Sequence, residues 1–149
     1  MEIKNLFKKI NISPKKYSLY YEALTHSSYS NENHLNYNYE RLEFLGDAII
    51  SYYVTNYLFN VKPELKVGDM SKKKIIIVQS KSEIFAAKKL NLQEYVYLGK
   101  SLFNDKKNLD RIYEDVYEAL VGAIYLDLGI NKAADFIKNT LLWIVSRLN

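Results

Sequence analysis

The chain has no cysteine among its 149 residues, which excludes disulfides, thiolate metal sites and a cysteine nucleophile. Proline (2) and glycine (5) are almost as scarce, so little punctuates the chain, and its apolar residues recur mostly at helical spacing. No run of about 18 apolar residues occurs, and no membrane span is expected. The opening segment MEIKNLFKKINISPKK alternates charge with apolar residues and has neither the long apolar stretch nor the cleavage site of a signal peptide. These absences point to a cytoplasmic protein. Charge of one sign is also lacking: 21 Lys+Arg against 17 Asp+Glu leave a formal +4. Lysines do cluster, at Lys8-Lys9, Lys15-Lys16, Lys72-Lys73-Lys74, Lys88-Lys89 and Lys106-Lys107. A polyanion partner is compatible with that, but ordinary solvated helix faces explain it as well.

What is present is helical spacing. A hydrophobic content of 48% is enough for one buried core, and the length fits one domain, residues 1–149. Leu42, Leu45, Ile49 and Tyr52 recur at intervals of three and four, predicting a long amphipathic helix from Tyr39 to about Phe59 that stops before Pro63. Ile112, Val116, Ala119, Ala123 and Leu126 predict a second, from about Asn108 to Leu126, ended by Gly129. Shorter helices are expected over Leu19 to His26, over Lys72 to Val78 with Asp69 or Ser71 as cap, and from Ser80 or Ser82 through Leu90. Asn131 would cap a last one running through Arg147, whose apolar side includes Ile144 and Val145. Tyr95 to Leu98 has strand-like composition but no evident partner. The fold class is all-α.

Chemistry concentrates on the two long helices. Glu40, Glu43 and Asp47 are spaced by three and four and share one face, and Asp115 and Glu118, three apart, share another. Like charges so placed cost a few tenths of a kcal/mol in an isolated helix. Each group has a glycine beside it, Gly46 and Gly122. A glycine inside a helix costs roughly 1 kcal/mol relative to alanine. Close approach of the two helices would compensate and would bring the carboxylates together. Oxygen-only ligands suit hard cations such as Mg²⁺. Two such ions about 3.5–4 Å apart can clamp both oxygens of a phosphodiester displacement. The bland alternative, two solvated acidic faces, stays open on spacing alone.

The stretch Glu40-Arg41-Leu42-Glu43-Phe44-Leu45-Gly46-Asp47 resembles the signature helix of the ribonuclease III family, and Asp115-Val116-Tyr117-Glu118-Ala119-Leu120-Val121-Gly122-Ala123 resembles its second catalytic helix. Lesser matches fall in order at Ala23 to Ser28, Gly68 to Lys72 and Tyr97 to Lys100, so the likeness spans roughly Leu19 to Asp127. It implies the helical endonuclease-domain fold, with two long antiparallel-packed helices carrying the acidic site. It also implies a Mg²⁺-dependent endoribonuclease (Mn²⁺ substituting) that hydrolyses double-stranded RNA in ribosomal and messenger RNA processing, leaving 5′-phosphate and 3′-hydroxyl ends with short 3′ overhangs. Glu43, Asp47, Asp115 and Glu118 match the metal-holding positions, with Asp47 and Glu118 as catalytic residues and Glu118 the most sensitive. Glu40 matches a supporting acid. Phe44 matches a position at the homodimer interface, although a core role fits it too. No membrane, organic cofactor or Ser, Cys or His nucleophile is implied, so His26 and His34 are read as structural or surface residues. Arg41 is read as a salt-bridge partner inside the signature, and Trp143 as core. With RNA as substrate, Lys72, Lys73, Lys74, Lys106 and Lys107 become candidates for phosphate contact.

The sequence also departs from the family pattern. Members usually continue into a double-stranded RNA-binding domain, which is not expected within these residues. The mini-ribonuclease III branch shares that feature, but its signature diverges from this one. Ser80 stands near a position that is often acidic, Lys74 where arginine is common, and Arg111 to Glu114 where small residues are usual. The competing reading is a catalytically silent ribonuclease III-fold protein that binds RNA or associates with ribosomes.

Overall fold

A computed structural model describes residues 1–103, 105 and 108–143. The described residues form α-helices joined by short loops, in the order α1 (Ile3–Lys9), α2 (Tyr17–Ala23), α3 (Ser27–Glu32), α4 (Glu40–Val61), α5 (Val67–Val78), α6 (Ser80–Lys89), α7 (Leu109–Leu128) and α8 (Ile130–Thr140). Two single 3₁₀ turns, Leu92–Glu94 and Lys100–Leu102, lie between α6 and α7. The all-α expectation holds. The strand-like Tyr95 to Leu98 segment makes one parallel bridge, Thr25 to Tyr97, and goes no further. Among the described residues, no helix is long and apolar enough to cross a membrane.

α7 is the centre of the molecule. From Val116 to Ile124 every residue except Glu118 is buried, and the helix packs against α2, α4, α6 and α8. α4 lies directly on it. A Cβ placed on Gly46 would sit 1.7 Å from the Glu118 carbonyl oxygen, and one on Gly122 would sit 2.5 Å from the Leu42 carbonyl oxygen. Backbone touches backbone there, so the close approach expected from the two glycines is what the fold contains. Proline and glycine stop the two helices as expected. α4 ends at Val61, just before Pro63, and α7 ends at Gly129, whose φ of +91° suits glycine.

Other boundaries differ. α5 and α6 begin at Val67 and Ser80, so Asp69, Ser71 and Ser82 lie inside helices rather than capping them, and the N-cap residues Lys66 and Gln79 make no side-chain cap bond. Ser82 instead bonds the Ile76 carbonyl across the junction. α8 begins at Ile130 with Gly129 as N-cap, not Asn131. Its expected extension through Arg147 lies outside the described residues. α1 and α3 were not expected. α1 buries only Leu6 and Phe7, and α3 is six residues long with Ser30 as its one buried residue, so neither shows a repeating stripe.

The apolar stripes are rotated from their expected positions. On α4 the buried set is Leu42, Gly46, Ile49, Ile50, Val54 and Leu58, while Tyr52 is 62% exposed. On α7, Leu126 is 48% exposed. Contact through the glycines turns each helix toward its Gly-bearing side and leaves the far edge of the predicted stripe in water. Trp143, expected in the core, is half-buried, with the Phe85 ring tilted beside it and Lys89 over its ring.

Candidate active site

The crossing of α4 and α7 fixes where their carboxylates go. With no side chain between the backbones, the acidic residues on either side of the contact share one rim. Together with the start of α6 they line an open cavity of about 800 Å³, whose wall includes Glu40, Glu43, Phe44, Asp47, Ser80, Arg111, Glu114, Asp115 and Glu118. One carboxylate oxygen from each of Glu43, Asp115 and Glu118 falls within 4.8 Å of the other two. Glu83, Glu114 and Glu118 form a second such group, so Glu118 belongs to both. Asp47 lines the same cavity but is not one of either three.

Crowding shows in the acidities. Desolvation first, then Asp115 and Glu40 nearby, push Glu43 up to about 7. Burial and the charge of Asp47 raise Glu118, and burial raises Asp115 while its hydrogen bond from Tyr39 and the Arg111 guanidinium pull the other way. The Tyr39 hydroxyl donates to Asp115 Oδ2 at 2.9 Å. A set of half-buried carboxylates that resist ionisation together, with only oxygen donors, is what a hard divalent cation would neutralise. The residues fit such an ion.

Sequence reasoning missed three contributors. Glu83 is 2% exposed, and its carboxyl is hydrogen-bonded to that of Glu118. Burial and the surrounding acids hold its pKa far above the ordinary carboxylate range. It was findable: Ser82, Glu83, Ala86 and Ala87 are the buried residues of α6, and a charged residue in such a stripe is a warning. Arg111 supplies the positive charge facing Glu43 and Asp115. Glu114 accepts a hydrogen bond from the Ser80 hydroxyl at 2.6 Å, tying α6 to α7 at the cavity edge.

The remaining expectations sort by position. Glu40 is exposed at the mouth of the cavity. Phe44 is 84% exposed, so the core role considered for it is overturned: its position on α4 faces away from the α7 contact. Arg41 shares a recess with Glu22 of α2, whose pKa burial raises and the Arg41 charge lowers, and it makes no ion pair within the signature among the described residues. His26 caps α3, its Nδ1 accepting from the Ser28 amide at 3.1 Å, and His34 is exposed. Lys72, Lys73 and Lys74 lie on α5 and do not line the cavity. Lys106 and Lys107 lie outside the described residues.

A family model described as Ribonuclease-III-like matches residues 16–144. The chain belongs to the ribonuclease III family. Among curated relatives, Ribonuclease 3 of Ureaplasma parvum is 39% identical over 93% of this chain and 62% of its own length. Ribonuclease 3 of Phytoplasma mali is 47% identical over 85% of this chain and 56% of its own. The chain thus spans about three fifths of those ribonuclease III relatives. A crystal structure of the nuclease domain of ribonuclease III from Campylobacter jejuni superimposes with a TM-score of 0.87 at 32% identity, covering 96% of this chain and 95% of that one. A second structure of that nuclease domain, also at TM-score 0.87, concerns flexibility in a region involved in its dimer formation.

Proposed function

We propose that residues 1–149 are the endonuclease domain of a ribonuclease III, which uses Mg²⁺ to hydrolyse double-stranded RNA into products with 5′-phosphate and 3′-hydroxyl ends and short 3′ overhangs. The observation that carries this reading is the meeting of Glu43, Asp115 and Glu118 oxygens within 4.8 Å on the wall of an open cavity. Glu43, Asp115 and Glu118 would hold the cation, with Asp47 on the same wall for a second ligand sphere. When bound, a divalent cation offsets charge developing on the phosphodiester and lowers the pKa of water. Glu118, shared by both carboxylate groups, has the largest role. Glu40 supports from the cavity mouth, and Arg111 offsets the summed negative charge before a cation arrives. Lys72, Lys73 and Lys74 on α5 are candidates for phosphate contacts along an A-form duplex, which is read mainly by shape and backbone.

A homodimer is part of the proposal. Phe44 projects into solvent beside a recess that Leu19, Leu42, Leu45 and Leu126 help to line. An exposed ring next to an apolar recess is a self-complementary surface of the kind a two-fold interface uses. The dimer-forming region of the Campylobacter nuclease domain supports the same assembly here. Processing of ribosomal and messenger RNA precursors in the cytoplasm is the setting that suits this chemistry.

The test is incubation of the chain with a long RNA duplex at low salt, with Mg²⁺ and then with EDTA, beside Glu118→Ala. Metal-dependent cutting to short duplexes with two-nucleotide overhangs, lost in the variant, is expected. Cutting that survives Glu118→Ala would overturn the assignment, as would no cutting with Mn²⁺ and excess protein.

A further inference from the structure

Asp115 is held from behind. Tyr39 is the N-cap residue of α4 and is almost wholly buried, at 3% exposed. Its amide donates to the Thr25 carbonyl at 2.9 Å, and Thr25 is itself fixed by its hydroxyl bond to the Tyr21 carbonyl and its bridge to Tyr97. The His26 ring stands edge-on to the phenol at 5.6 Å between centroids. Backbone and ring are therefore both immobilised before the hydroxyl reaches across to Asp115 Oδ2. A phenol is protonated at neutral pH, so the donor and acceptor are unambiguous. Hydrogen bonds to an ionised acceptor are roughly twice as strong as neutral ones.

We propose that Tyr39 is a positioning residue for the cation site, its buried hydroxyl holding the Asp115 carboxylate in the orientation the three-carboxylate cluster needs. The proposal rests on the reading of that cluster as a divalent-cation site. Glu40 and Glu43 repel the Asp115 carboxylate, and an oxygen of Glu118 lies within 4.8 Å of it. An unrestrained carboxylate would swing toward water and away from that crowding. The hydroxyl opposes the swing by bonding one oxygen, which limits rotation of the carboxylate plane. The sequence places this tyrosine immediately before the signature helix, so one short segment supplies both a cation ligand, Glu43, and the restraint on a ligand from α7.

The experiment compares the unmodified chain, Tyr39→Phe, and the chain carrying para-aminophenylalanine at position 39. Mn²⁺ binding is measured by calorimetry and duplex-RNA cutting as a function of Mg²⁺. Removing a partner that orients a metal ligand typically costs about 10–100-fold in metal affinity or activity. Tyr39→Phe is expected to melt cooperatively, bind Mn²⁺ about tenfold more weakly, and need correspondingly more Mg²⁺ for half-maximal cutting at an unchanged KM for RNA. The amino replacement returns a donor and should restore most of the affinity. Unchanged Mn²⁺ affinity in Tyr39→Phe would overturn the proposal, and so would loss of cooperative melting, which would make the hydroxyl a structural tie. An unmodified chain that binds no Mn²⁺ would overturn the cation-site reading itself, and this proposal with it.

Discussion

α4 and α7 carry the acids in equal measure, yet they are built to opposite plans. α7 is buried along Val116 to Ile124 with Glu118 as the one residue not buried, so its acids sit on the rim of a core strut that four other helices surround. α4 buries one narrow face and leaves Phe44, Tyr52 and Phe59 in solvent. The difference divides the labour. α7 presents its carboxylates from a helix packed on several sides, whereas α4 brings its own from a helix that also leaves aromatic side chains in solvent. Gly46 and Gly122 join the two plans, since there the two backbones touch.

The largest effect should come from that joint. Gly46→Ala gains about 1 kcal/mol of helix propensity but drives a methyl into the Glu118 carbonyl. Overpacking of this kind costs about 1–3 kcal/mol or more, and rigid backbone on both sides puts it at the upper end. Thermal melting should show strong destabilisation, and a melt at or above that of the unsubstituted chain would mean that the helices separate without cost.

Next is the acid that α6 hides beneath the rim. Glu83→Leu replaces a buried carboxyl with an apolar side chain at a core position, and the metal-free chain should gain about 1–2 kcal/mol. A loss of stability by chemical denaturation would show that the carboxyl pair with Glu118 is a net tie.

The pH dependence sharpens the same point. Glu43, Glu83 and Glu118 all have folded-state pKa values above the ordinary carboxylate range. A raised carboxyl pKa means that the folded state holds its protons longer. The contribution of these groups is therefore complete below about pH 4 and declines as pH rises through 7 and beyond. The metal-free chain should lose stability from pH 5 to pH 8, and Glu83→Leu should flatten the slope. Mg²⁺ binding should release protons and tighten over the same interval. A melting temperature that rises from pH 5 to pH 8 without metal would contradict these raised pKa values.

The smallest effect on stability belongs to the outward face. Phe44→Ala should change the melt of a monomer by no more than about 0.5 kcal/mol, while analytical ultracentrifugation shows weaker self-association. Unchanged association would remove Phe44 from the interface.

Much of this was legible in the linear chain. Helix class, the ends of α4 at Pro63 and of α7 at Gly129, the acidic spacing and the glycine contact all follow from rules that act within a turn or two of one helix. α1 and α3 were not legible because they are too short for a period to declare itself. The caps were misplaced because Lys66 and Gln79 start their helices without a side-chain bond. Tyr52 and Leu126 were expected in the core because a stripe gives a helix's apolar side but not its rotation against a neighbour.

The sequence alone thus determined that Glu43, Asp47, Asp115 and Glu118 would lie on two helix faces, since three- and four-residue spacing is a property of the helix itself. Only the tertiary structure decided that Glu83 joins them from α6, that Arg111 faces them and that Tyr39 steadies one of them. Those relations connect residues up to 76 positions apart, and no local period encodes a contact made only when three helices close on one cavity.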